Sequence, residues 1–172
     1  DRAAQLLTEL PNELDLEERE IVLFGKPVKQ PRLVAWVGDA PYRYSGVTLA
    51  PRAPGPLVAQ LLAEVVQATH VPFNHVLANF YRDGSDSMGL HSDSEPELGP
   101  DPTVASLSFG ATRRFRILPR DAATGRRLEV ELSSGSLLVM SGALQHHYRH
   151  DLPKSRLVRD PRLSLTFRRI VS

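Results

Sequence analysis

Apolar positions along the chain change their period near residue 73. Leu6, Leu7 and Leu10 fall on one face of a segment that starts at Arg2, which predicts a short helix over 2–10 closed by Pro11. Leu57, Leu61, Leu62, Val65 and Val66 recur at intervals of three and four, which predicts a longer helix over 57–69, entered from the proline-rich stretch 51–56. Between them, the apolar runs 21–24 and 33–37 are separated by Gly25, Pro27 and Pro31 and suit two strands of a hairpin or covering layer. After residue 73, short apolar or alternating runs at 75–81, 103–109, 113–118, 127–132, 136–140 and 162–168 sit between Gly, Pro and Asp breaks. Helices first, then six or more evenly spaced strands, predict a mainly β fold with flanking helices: a jelly-roll or cupin-like barrel buttressed by the N-terminal helices.

Length and composition narrow this to one domain. The chain has 172 residues, 41% of them hydrophobic and 24% charged, enough apolar mass for one core and no sign of disorder. Its 21 basic and 20 acidic residues leave a net charge of +1, so only a local clustering of charge can mark a polyanion partner. Cysteine is absent. That removes disulfides, zinc–thiolate sites and thiol nucleophiles, and leaves His and carboxylates to hold any metal. No apolar run approaches the ~20 residues that span a bilayer. A soluble, intracellular monomer of the cytoplasm or nucleus is expected, although the chain opens on Asp1 rather than Met and its natural start is not fixed by that.

His91-Ser92-Asp93 carries the first chemistry. In an extended segment a spacing of two turns both side chains to one face, where they can share an ion. A distal imidazole would complete a two-His-one-carboxylate facial triad, the arrangement that leaves adjacent coordination positions open for a chelating cosubstrate and oxygen. His146, His147 and His150 are the candidates. His150 is preferred because it opens His150-Asp151-Leu152-Pro153 and precedes a strand with its own message.

In that strand Arg162, Ser164, Thr166 and Arg168 share one face, and Leu163, Leu165 and Phe167 the other. Two guanidiniums looking into a barrel demand anions, because a buried unpaired charge is very costly. A small dicarboxylate answers the demand, since Arg forks bind carboxylates bidentately and two hydroxyls stand beside them. The competing reading is an edge strand with both arginines in water.

Taken together these residues resemble the AlkB-type Fe(II)- and 2-oxoglutarate-dependent dioxygenases, and most closely their DNA-repair branch. The resemblance rests on Phe73-Asn74, on 77–84 (LANFYRDG), 89–95 (GLHSDSE), 105–110 (ASLSFG) and 135–140 (GSLLVM), and on the 162–168 strand. These segments run in the family's order over about residues 20 to 170. It implies the double-stranded β-helix fold, with His91, Asp93 and His150 as iron ligands and O2 as cosubstrate. It also implies that Arg162 and Arg168 hold 2-oxoglutarate, joined by Asn79 and Tyr81 and flanked by Ser164 and Thr166. Ser164 stands where the family often has Asn, which shortens that contact.

The resemblance extends to substrate. Residues 20–50 match the nucleotide-recognition lid, and Tyr42 and Tyr44, two apart, match the aromatic residues that sandwich an extruded base. The alternative is that both pack on the core sheet. Glu95 matches the acidic residue that faces the exocyclic edge of the damaged base, against the alternative of a solvated carboxylate. Phe24-Gly25-Lys26 resembles a hairpin finger whose aromatic ring fills the gap left by a flipped nucleotide, and Phe24 serves equally well as core. Two basic groups, Arg113, Arg114 and Arg116, and Arg156 with Arg159, are expected to meet phosphates.

The expected function is oxidative dealkylation of N-alkylated bases in DNA: hydroxylation of the alkyl carbon coupled to 2-oxoglutarate decarboxylation, then release of an aldehyde from an unstable hemiaminal. The same machinery acting on RNA or a protein side chain is the first rival. The second is a cupin-like binding module without chemistry.

Overall fold

The computed structural model describes residues 1–23, 25–39, 41–44, 47–123 and 125–171. Three helices, a 3-10 turn and twelve strands follow in the order α1 (Arg2–Glu13), β1 (Glu17–Leu23), β2 (Lys26–Gly38), β3 (Tyr42–Tyr44), β4 (Val47–Leu49), α2 (Pro56–Thr69), β5 (His75–Tyr81), β6 (Met88–His91), the turn Pro96–Leu98, β7 (Val104–Gly110), β8 (Arg113–Pro119), β9 (Leu128–Leu132), β10 (Leu137–Met140), α3 (Leu144–His147), β11 (Tyr148–Leu152) and β12 (Arg162–Arg168). Six strands form one sheet in the order β1-β2-β5-β12-β7-β10, four form a second in the order β6-β11-β8-β9, and β3 and β4 make a separate hairpin. The predicted jelly-roll with helical buttress is what the chain adopts.

The alternation read from the C-terminal strand divides the molecule into layers. Leu163, Leu165 and Phe167 are fully buried in one apolar cluster with Val76 and Ala78 of β5, Leu6 and Leu10 of α1, and Val58, Leu61 and Val65 of α2. Removing side chains of this size from water contributes about 1.5–3 kcal/mol each, so the helices are held to the outer face of the large sheet. Tyr81, Val104, Phe115, Ile117, Leu132, Met140 and Leu152 form a second cluster, set between the two sheets. The polar faces of β5 and β12 look into that space, and antiparallel pairing brings Arg162 beside Tyr81 and Ser164 beside Asn79.

Pro11 does not end the first helix. The helix continues to Glu13, and Leu14, buried in the core, donates its N–H to the Leu10 carbonyl at 3.0 Å. Proline removes one hydrogen bond at this late position, but burial of Leu10 and Leu14 and a contact from Glu13 hold the last turn. The Glu13 carboxylate accepts from the Leu57 and Val58 N–H groups, both at 2.9 Å, and so caps the orphan donors of α2. A Cβ on Gly55, the residue before α2, would lie 2.3 Å from the Glu13 side chain.

One more glycine places the segment ahead of β12. Gly84 donates to the Val158 carbonyl at 3.1 Å and accepts from the Ser155 N–H at 2.8 Å. A Cβ there would meet the Ser155 carbonyl oxygen at 2.0 Å, so the two backbones touch only because residue 84 has no side chain. Among the described residues no helix is long and apolar enough to cross a membrane.

Candidate metal centre

His91, Asp93 and His150 come together from two elements. His91 ends β6 and stands directly opposite His150 of β11 in the antiparallel ladder, with ring centroids 4.4 Å apart. Asp93 follows two residues after the strand has stopped. One potential ligand atom from each of the three lies within 4.8 Å of the others, and His150 Nε2 is 3.5 Å from Asp93 Oδ2. The strand spacing of two does not account for this juxtaposition, because the chain leaves the sheet after His91 and Asp93 meets His150 from outside the ladder. His146 and His147 are exposed and stand apart, with His146 Nε2 within 2.5 Å of the Pro100 carbonyl oxygen and 3.0 Å of Asp101 Oδ1.

The protonation states suit a cation. His91 Nδ1 lies 2.8 Å from the Gly89 carbonyl; since a carbonyl only accepts, Nδ1 carries a proton and Nε2 is the ring nitrogen left to face an ion. Burial, with the neighbouring His91 in second place, pulls the His150 pKa down to about 4, so that its ring is neutral at physiological pH. Burial alone would raise the Asp93 carboxyl, but Arg168, His91 and His150 outweigh it and hold the group below the usual carboxylate range. Asp93 Oδ1 accepts from Arg168 Nε at 3.0 Å and Nη2 at 2.6 Å. Asp93 Oδ2 is buried and has no hydrogen-bond partner among the described residues. An orphaned carboxylate oxygen beside two imidazoles fits a divalent cation with nitrogen and oxygen preferences.

A cavity opens from these three residues between the sheets. It is lined by Asn79, Tyr81, Arg162, Ser164, Thr166 and Arg168, with apolar walls from Met88, Phe115, Leu132 and Leu152. Arg162 is 2% exposed and donates through Nη2 to Ser108 Oγ at 2.8 Å. Its guanidinium also lies 5.3 Å from the Tyr81 ring centroid. Its Nε is buried without a partner, and among the described residues no carboxylate pairs with it. Burial pulls its pKa down to about 10, still charged at neutral pH. Ser164 Oγ lies 3.0 Å from Ser106 Oγ. The two arginines of β12 thus face the same cavity in different circumstances: Arg168 binds a carboxylate of the protein, and Arg162 does not.

Two residues that hold this arrangement were not legible in the sequence. Arg32 of β2 is 5% exposed and donates from Nε to Asn79 Oδ1 at 2.7 Å. Gln145 of α3 is 1% exposed, and its Oε1 accepts from the Asp93 N–H at 3.0 Å. Neither belongs to a motif. The only signal for Arg32 was a cation placed next to an apolar strand run, and for Gln145 there was none.

The sequence nominates several further residues. Glu95 directly precedes the 3-10 turn; its Oε2 is buried and unpartnered among the described residues, and it lines a second cavity with Asp93, Ser94, Gln145 and His146. Tyr42 and Tyr44 lie on β3, paired with Leu49 and Val47 of β4; their side chains fall outside what the structure describes, as does Phe24. The basic group on β8 is a correction. Arg113 is 2% exposed and donates to the carbonyls of Asp83, Asp86 and Pro153 at 2.8–3.0 Å, so it braces two loops, β5–β6 and β11–β12, and cannot meet a phosphate. Arg116 forms a two-point pair with the Asp151 carboxylate. Only Arg114 of the three is exposed, and it lies 3.5 Å from Glu129. Alternation along the strand, which put Arg113 inward, explains the error. Arg156 and Arg159 are exposed on the loop pinned by Gly84.

Comparison with known proteins agrees with this geometry. The sequence is 40% identical over 174 residues to the alpha-ketoglutarate-dependent dioxygenase alkB homolog 3 of Mus musculus, covering 96% of this chain and 59% of that protein. It is 40% identical over 159 residues to the DNA oxidative demethylase ALKBH2 of Homo sapiens, covering 88% and 61%. The chain thus spans about 60% of the length of these relatives. The solved structure of OsALKBH1 superposes with a TM-score of 0.67 at 18% identity, over 97% of this chain and 91% of that one, which supports the fold. The profile of the 2OG-Fe(II) oxygenase superfamily matches residues 1–168, and the chain belongs to that family.

Proposed function

We propose that the chain is an oxidative dealkylase of nucleic acid, acting on N-alkylated bases and on DNA in the first place, with His91, Asp93 and His150 as the ligands of one ferrous ion. The family's cofactors are Fe(II), 2-oxoglutarate and O2. The observation that carries the reading is the pairing of two unmet demands in one cavity. Asp93 Oδ2 is an orphaned anion beside two imidazoles, and Arg162 is a buried cation with no protein carboxylate. A metal ion answers the first and a small diacid the second. When bound, the iron and cosubstrate supply oxidation of a substrate C–H bond, with 2-oxoglutarate converted to succinate and carbon dioxide.

The residues of this chain then do the rest. Arg162 grips the distal carboxylate of the cosubstrate, aided by Tyr81, and Thr166 with Ser164 fills the adjacent wall. Arg168 holds Asp93 and lines the same cavity. Asn79, oriented by Arg32, offers its amide nitrogen. Met88, Phe115, Leu132 and Leu152 exclude water from the reacting centre. Positioning and exclusion of water are the protein's contribution; no acid–base pair is required.

In this reading the nucleotide-recognition lid is drawn from residues 20–50, apart from 33–38 of β2, which pair with β5 in the large sheet. Tyr42 and Tyr44 stack on an extruded base, Glu95 accepts from its exocyclic amine, and Phe24 wedges into the vacated stack. Arg156 and Arg159, on the loop before β12, meet phosphates. Hydroxylation of the N-alkyl carbon gives a hemiaminal that releases an aldehyde and restores the base edge. The names of the two relatives, a dioxygenase and a DNA oxidative demethylase, support the substrate class.

Product analysis tests it: protein, Fe(II), 2-oxoglutarate and air with methylated single-stranded DNA, duplex DNA, RNA and a methylated peptide. Formaldehyde matched by succinate is expected from the DNA substrates. Turnover confined to RNA or peptide would move the substrate, and no product from any of them would leave the binding-module reading standing.

A further inference from the structure

Asp93 sits where no sheet holds it. β6 ends at His91 and residues 92–95 belong to no helix or strand, so the peptide that carries the central carboxylate has no ladder partner. Its N–H is nevertheless satisfied. It donates to Gln145 Oε1 at 3.0 Å, from a residue 52 positions along the chain. Gln145 is the one buried residue of α3, and α3 runs directly into β11, which carries His150. The same loop has a second tether: Arg120 Nη2 donates to Ser92 Oγ at 2.5 Å and to the Gln145 carbonyl at 3.5 Å.

A packing role does not account for an amide at this place. Gln145 Nε2 is buried with no hydrogen-bond partner among the described residues, and burying an unmet polar group is unfavourable, so a methionine of similar volume would fill the space at lower cost. The amide is explained by its oxygen. A carboxylate has two torsions, and here both ends of that short side chain are fixed: the main chain by Gln145 and Oδ1 by Arg168. What remains is a single setting of Oδ2, 3.5 Å from His150 Nε2.

We propose that Gln145 is a positioning residue of the metal centre, whose side-chain oxygen sets the Asp93 peptide so that the carboxylate meets the ion and Arg168 together. The proposal rests on the assignment of His91, Asp93 and His150 as ligands. Gln145 touches neither metal nor cosubstrate; it acts through Asp93 and ties the first two ligands to the element that delivers the third. Groups of this kind around a metal are worth about 10- to 100-fold in affinity.

Anaerobic titration of the metal-free protein with Mn(II), and separately with Co(II) followed by its visible absorption, tests the proposal on wild type and Gln145→Met. The variant should keep a folded circular-dichroism spectrum while its Mn(II) dissociation constant rises about 10- to 100-fold and its Co(II) band changes shape. Equal Mn(II) affinity and an unchanged Co(II) band in the variant would overturn it. Wild type that binds neither ion would instead remove the ligand assignment beneath it. A second measurement needs no variant: the Asp93 amide of the metal-free wild type should exchange with solvent about 100-fold or more slowly than a free peptide, and exchange at the free-peptide rate would also overturn the proposal.

Discussion

Arg168 gives two hydrogen bonds to a single oxygen of Asp93, from Nε at 3.0 Å and Nη2 at 2.6 Å, and leaves the other oxygen facing His150. Both groups are buried. The guanidinium therefore selects which oxygen of the carboxylate remains for an ion, and it keeps that carboxylate charged before any ion arrives. The second arginine of β12 has no such partner. Six positions along one face of the same strand separate an arginine that serves the metal ligand from one that awaits an anion.

Arg162→Met should accordingly act on the cosubstrate alone. Charge-assisted hydrogen bonds contribute about 1.5–3 kcal/mol, so the KM for 2-oxoglutarate should rise about 10- to 100-fold while kcat at saturation changes less. Initial-rate kinetics over a range of 2-oxoglutarate check this. A KM within twofold of wild type would mean that the diacid is held elsewhere.

The strands that were read correctly and those that were missed differ in what their side chains do. β5 and β12 carry apolar residues at every second position because one face packs on the helices, and their limits, 75–81 and 162–168, were legible from that alternation. β6 and β11 were not. Their sequences, Met-Gly-Leu-His and Tyr-Arg-His-Asp-Leu, present ligands to the cavity in place of an apolar stripe, so the strands that carry the two imidazoles give no strand signal; nor do the three-residue strands β3 and β4. His91, Asp93, Arg162 and Arg168 were legible as chemistry because residue type and spacing suffice to nominate them. Arg32 and Gln145 act across 47 and 52 residues, and no local pattern encodes such a distance. The inward turn of Arg113 followed the same alternation as its neighbours but was read as surface charge.

The two kinds of arginine can be separated in solution. Arg113→Met leaves three backbone carbonyls without their donor, which should cost on the order of 3 kcal/mol of stability in urea unfolding, while the salt dependence of DNA affinity stays as in wild type. Arg156→Ala and Arg159→Ala should each lower the slope of log affinity against log salt by about 0.9 with little change in stability. A reduced slope for Arg113→Met, or no change for the exposed pair, would contradict the assignment.

His75 gives the fold a dependence on acid. It is buried on β5 opposite Arg168, and burial, then that positive charge, pull its pKa from 6.5 to about 3. Between those values the unfolded chain binds a proton that the native state refuses, so stability falls as pH drops from about 6.5 toward 3, by on the order of a few kcal/mol. Urea midpoints against pH for wild type and His75→Gln measure it. The variant should lose that part of the acid limb, and parallel curves would exclude His75 as its source.

Glu95→Ala should leave the iron site intact and uncouple it. With the acceptor for the base edge gone, succinate should still form while the aldehyde yield per succinate falls at least severalfold. Quantifying both products in one reaction decides it; an unchanged ratio would return Glu95 to the role of a loop carboxylate.

The ligand set itself is tested most directly by anaerobic Fe(II) titration of wild type beside His91→Ala, Asp93→Ala and His150→Ala, with bound iron counted per chain. One equivalent in wild type, and loss of tight binding in each variant together with loss of turnover, is the predicted result. Iron bound equally well by any of the three variants would contradict the account.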